Sequence, residues 1–187
     1  MSLSPQEAAS TLSDVERAAK RSARAFGYRK ASPHLILWGI VWLIGYGATD
    51  VFPARAGLIW LALIAAACIV AFYISRCYRE DGRAKGNAVG VWRVVALIAI
   101  AYVFIIGTYA ILGPLRGMQQ GAFVPLLVGA VYTGVGLWLG MRFVIAGALL
   151  IALTFAGYFY LQEYFLLWMA FAGGGALILA GFWLRTV

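Results

Sequence analysis

Pro33-His34-Leu35-Ile36-Leu37-Trp38-Gly39-Ile40-Val41-Trp42-Leu43-Ile44-Gly45-Tyr46-Gly47-Ala48-Thr49-Asp50 is the stretch on which the reading of this chain turns. It carries no charge between His34 and Asp50. Its length is close to the ~20 residues an α-helix needs to cross the ~30 Å hydrocarbon core of a bilayer. Before it the sequence is charged and alanine-rich; after it comes one apolar run after another. The stretch reads as the first of several membrane spans.

Composition points the same way. The 187 residues are 64% hydrophobic and 12% charged, with a mean hydropathy of +0.88. A soluble domain is about 45–50% apolar and about 25% charged. So short a chain could not hide this much apolar surface in one water-soluble core. The expected fold class is all-α: a polytopic membrane protein whose six transmembrane helices form an antiparallel bundle. The spans fall at about residues 33–52, 57–75, 94–112, 123–140, 143–160 and 164–184. Residues 1–30 form a separate cytoplasmic amphipathic helix and anchor, and residues 31–187 form the bundle. Pro53 and Arg55 mark a turn, the polar run 76–87 a cytoplasmic loop, and the Gly113-Pro114 pair the start of a loop that ends at Gly121.

Charge placement tests the count. With both termini cytoplasmic, the inner segments hold Arg17, Lys20, Arg21, Arg24, Arg29 and Lys30, then Arg76, Arg79, Arg83, Lys85 and Arg93, then Arg142 and Arg185. The outer turns hold Arg55 and Arg116. Thirteen of 15 basic residues therefore sort to one side, as the positive-inside rule demands. The expected location is a plasma membrane, of the bacterial inner-membrane type, with N-in, C-in topology. The net charge of +8 then belongs to cytoplasmic loops rather than to a nucleic-acid site.

The N-terminal segment opens on Ser4-Pro5-Gln6-Glu7, a capping box with proline at the first helical position, and Gly27 supplies a stop signal. Ala8, Leu12, Val15, Ala19, Ser22 and Phe26 alternate in steps of four and three and share a narrow face. Arg17, Lys20, Arg21 and Arg24, continued by Arg29 and Lys30, make the segment basic. It fits a helix drawn to anionic lipid headgroups. It also fits a short docking or dimerising helix, because the spacing imitates heptad positions.

Catalytic and cofactor chemistry finds little purchase. No Asp, Glu, Lys or Arg falls in the middle third of a span, where ion-coupled carriers and intramembrane enzymes place them. A bis-histidine haem site needs two histidines, and the chain has one, His34. The two cysteines, Cys68 and Cys77, sit nine positions apart on one helix, roughly 13 Å, beyond disulfide reach. No nucleophile has a base at a readable spacing, and the first thirty residues lack the apolar core of a cleavable signal peptide. The sequence therefore gives no reason to expect an enzyme, a cofactor or a metal.

Small residues recur instead. Gly136 and Gly140 form a GxxxG pair, and Ala170 with Gly174 a small-xxx-small pair, the spacing that lets helices approach closely in lipid. Gly173, Gly174 and Gly175 run consecutively in mid-span although each lowers helix propensity by up to ~1 kcal/mol. They mark a close helix crossing or an unwound point on a ligand path. Trp38, Trp42 and Tyr46 form an aromatic ridge. At ~100° per residue, a step of four drifts by ~40°, so His34 and Asp50 end about 160° apart and cannot line one pathway. The ridge suits packing across a neighbouring helix.

The expected function is that of a non-enzymatic multi-pass membrane protein acting through a membrane-protein partner or regulatory contact at its basic cytoplasmic face. The alternative is a small transporter or pore for an apolar or weakly polar solute, working as a homodimer.

Overall fold

The computed structural model describes residues 5–80, 99–100, 103–111, 113 and 117–186, and every element among them is helical. α1 spans Pro5–Val51. A single 3₁₀ turn, Pro53–Arg55, reverses the chain into α2, Ala56–Glu80. Residues 103–111 form α3. α4 spans Gly117–Leu139 and α5 Met141–Tyr160. The last rod joins α6 (Phe165–Trp168), a π-helical stretch Met169–Gly174 and α7 (Gly175–Leu184). Five of the helices are long and apolar enough to cross a membrane. The start of the third expected span, residues 94–98, lies outside the described residues, as do 101, 102 and 112.

The expected stop at Gly27 is not used. α1 continues through Gly27 and Pro33 for 47 residues. Gly27 is not among the positive-φ glycines, so it makes no left-handed cap. Helix formers Arg29, Lys30 and Ala31 carry the helix onward, while Tyr28, Ser32 and Leu35 are held in the bundle. α2 likewise runs past Ser75 through Arg76 to Glu80; residues 81–87 of the expected loop are outside the described residues. α4 starts at Gly117 rather than after Gly121, because Met118 packs on the core and pulls the segment into the helix.

The core is built from two antiparallel pairs. In the first, α1 crosses the π-helical stretch and α7. A Cβ on Gly39 would stand 2.7 Å from the Gly174 carbonyl oxygen and 2.6 Å from Ile178 Cγ1. In return, a Cβ on Gly174 would stand 2.8 Å from the Gly39 oxygen and 3.0 Å from the Leu43 nitrogen. The second pair, α4 and α5, repeats this register. Gly129 faces the Gly147 oxygen at 3.0 Å and Ile151 Cγ1 at 2.7 Å, and Gly147 faces Gly129 and Thr133. Both crossings set glycine on glycine, with an isoleucine four residues on. Such backbone-to-backbone approach is how helices gain packing energy where lipid tails remove the hydrophobic drive.

Between the pairs lies a cluster holding Trp42, Tyr46, Leu150, Phe165, Met169 and Leu177. A second, towards the other end, gathers Tyr28, Leu35, Phe143, Ala146, Ala180 and Leu184. α2 leans on α1 through Trp60, Leu63 and Ala67 and exposes Leu58, Leu61, Ile69 and Phe72, as a lipid-facing helix does.

Candidate functional site

Three places concentrate what the sequence singled out. The glycine run is the first. Its three members do different work. Gly173 lies beneath Met169, whose Cε would be 2.8 Å from an added Cβ, with Trp42 behind it; Gly174 makes the α1 crossing; Gly175 meets nothing within 4 Å. The run falls in and just after a π-helical turn, a local widening of the helix by one residue that occurs often at functional sites. Of the two readings of the run, the structure places a close crossing at Gly174. Ala170, 1% exposed, is buried alongside.

The second place is the C-terminal half of α1, with the aromatic ridge. Trp42 and Tyr46 are each 5% exposed and stand edge-to-face at 5.8 Å; Trp38 is only partly buried. The true inward face of α1 is Tyr28, Ser32, Leu35, Gly39, Trp42 and Tyr46, in steps of four and three. Tyr46 meets Trp60 edge-on at 5.3 Å and donates its hydroxyl to the Gly121 carbonyl at 2.7 Å, tying α1 to α4. Trp60 Nε1 donates to Thr49 Oγ1 at 2.9 Å, and Thr49 Oγ1 donates to the Gly45 carbonyl at 2.7 Å. Tyr46→Phe is expected to cost the bundle about 0.6–1.7 kcal/mol, the range for one interhelical hydrogen bond in lipid. Thermal unfolding in detergent checks it; an unchanged midpoint would show the bond contributes nothing.

The third place is the opposite end, where the sequence marked Gly136 and Gly140 as a close-packing pair and Arg142 and Arg185 by charge placement alone. Gly136 packs on Val144, whose nitrogen lies 2.5 Å from an added Cβ. Gly140 itself lies outside the helices. It is the turn between α4 and α5, at φ 133 and ψ 159, and Tyr28 of α1 covers it. Arg142 Nη1 donates to the Trp183 carbonyl and, at 3.0 Å, to Thr186 Oγ1. Arg185 Nε donates to Ser32 Oγ at 2.8 Å, and Ser32, fully buried, donates to the Gly181 carbonyl at 2.6 Å. The sequence cue for this end was faint: one arginine in a two-residue turn and one after the last apolar run.

Most of the described basic side chains of the N-terminal segment are exposed. Arg17 pairs with Asp14 at 3.7 Å on an exposed face, Arg21 and Arg29 are exposed, and Lys30 is partly buried. The side chains of Lys20 and Arg24 lie outside the described residues. Among the described residues, no group of three His, Cys, Asp or Glu side chains converges. Cys68 and Cys77 are free and exposed. The described surface is recessed along α2, in an open groove over Cys68, Phe72 and Arg76, and along α3, over Phe104 and Thr108.

No protein-family model, curated protein or solved structure matches the chain.

Proposed function

We propose that the chain is a six-span, non-enzymatic protein of the plasma membrane, with both termini cytoplasmic, that acts by engaging a partner through the N-terminal part of α1. The run 94–112, third in chain order, completes the six; of it, 99–100 and 103–111 are helical. The observation that carries the reading is the continuity of α1. Its 47 residues extend about 70 Å at 1.5 Å per residue, more than twice the ~30 Å hydrocarbon thickness. One rod therefore serves as both span and stalk. On the stalk, Leu12, Val15 and Phe26 remain 63%, 59% and 40% exposed, and they lie on the stripe spaced in fours and threes.

The occupant of that stripe is an acidic amphipathic helix of a partner protein. Residues 5–30 hold six basic and three acidic side chains, so two copies of the stalk repel each other while an acidic helix is attracted. Removing residues 1–26 should abolish co-purification of the partner and leave the bundle inserted. The cut stops short of Tyr28, which the bundle needs. Undiminished co-purification would sink the reading.

The competing function, a transporter or pore for an apolar solute, draws on the π-helical stretch. Its glycines are largely filled by Met169, Gly39 and Leu43, which favours packing. Flux in liposomes, with Gly174 variants as controls, separates the two.

A further inference from the structure

We propose that Arg142 and Arg185 form a binding site for the phosphate group of an anionic phospholipid at the end of α7. It is independent of the stalk and does not rest on the partner reading.

Both arginines are held at the C-terminal end of α7, one from the neighbouring α5 and one from α7's own last turn. Arg142 reaches across from the start of α5 to the Trp183 carbonyl and Thr186. Arg185 is fixed at Nε by Ser32, itself buried and anchored on Gly181. Each also lies over aromatic rings: Arg142 at 5.0 Å from the Trp183 centroid and 5.8 Å from that of Tyr28, Arg185 at 5.7 Å from that of Phe182. The side chains are thus held before any ligand arrives, which cuts the ordering cost of binding.

Capping α7 accounts for part of this arrangement, and charge shows how much. The C-terminal end of a helix offers roughly half a negative charge, whereas two arginines bring two full positive ones. Among the described residues, neither arginine has a carboxylate within ion-pair distance. Among the described residues the helix end therefore balances the two guanidinium groups only in part, and Arg185 is exposed, where an anion can reach it. A guanidinium has five N–H donors. Nη1 of Arg142 and Nε of Arg185 are engaged, and the remaining nitrogens make no hydrogen bond to another described residue. Planar donor pairs in surplus, beside a tryptophan at a helix end, match a phosphate oxyanion at headgroup depth.

The test uses the full chain in neutral detergent, with thermal stabilisation followed as phosphatidylglycerol, phosphatidylcholine or inorganic phosphate is added. Phosphatidylglycerol should stabilise the protein and phosphatidylcholine should not. Arg185→Gln should weaken the phosphatidylglycerol response at least about tenfold, the loss expected when a charge-assisted contact goes. That variant keeps the Arg142 cap, so it should fold. Arg185→Lys should restore part of the response. If inorganic phosphate alone gives the same stabilisation at similar concentration, the phosphate chemistry stands and its source is soluble. A full phosphatidylglycerol response in folded Arg185→Gln, or equal stabilisation by both lipids, overturns the proposal. So does loss of the response on removing residues 1–26, which would place the lipid on the stalk.

Discussion

Gly174→Leu is expected to lower the stability of the bundle by about 3 kcal/mol or more, the upper range for overpacking a filled interior. The reason is what the new side chain meets. A Cβ at position 174 stands 2.8 Å from the Gly39 oxygen and 3.0 Å from the Leu43 nitrogen. Both are backbone atoms of a helix, which cannot swing aside as a flexible side chain does. The pair must separate along its length, and Ser32 and Trp42 lose their partners with it. Gly175→Leu is the matched control: nothing lies within 4 Å of its Cβ position, so it should shift the unfolding midpoint little. Equal effects at 174 and 175 would mean that helix propensity, rather than the crossing, sets the need for glycine.

Gly140→Ala should be nearly as damaging, through two separable causes. At φ 133 and ψ 159 the backbone occupies a region essentially confined to glycine. The Tyr28 hydroxyl also lies where the methyl group would go. Strain of this kind costs about 1–3 kcal/mol, and the overlap adds to it. Adding Tyr28→Phe should recover part of the loss by removing the hydroxyl, leaving the backbone strain. If the double variant is no more stable than Gly140→Ala alone, the overlap contributes nothing and the turn is the whole effect.

The all-helical character and the long apolar helices were legible because apolar length is a local signal. α1 shows where such reading ends. A spacing of four picked out Trp38, Trp42 and Tyr46, but 3.6 residues per turn put Trp38 at the margin and made Tyr28, Ser32, Leu35 and Gly39 the companions of Trp42 and Tyr46. The helix also ignores Gly27, because what holds residues 28–35 helical is contact with α5 and α7, far away in sequence. Ser32 is the sharpest case. A serine ahead of a proline reads as a turn, yet its partner, the Gly181 carbonyl, is 149 residues distant. The glycine run stands out in the sequence as three equivalent residues, and only the partner helix distinguishes Gly174, packed on Gly39 and Leu43, from Gly175, with nothing within 4 Å.

The two glycine crossings have a mechanical consequence. Backbone packed on backbone makes α1–α7 and α4–α5 two stiff beams, while side chains alone fill the seam between them. Each end of that seam carries a fastening: Tyr46 on the Gly121 carbonyl at one, Tyr28 over Gly140 and Arg142 on the Trp183 carbonyl at the other. Rocking one beam against the other strains the fastenings at both ends. Releasing one fastening turns the other into a pivot, so the bundle can flex only by opening one end at a time.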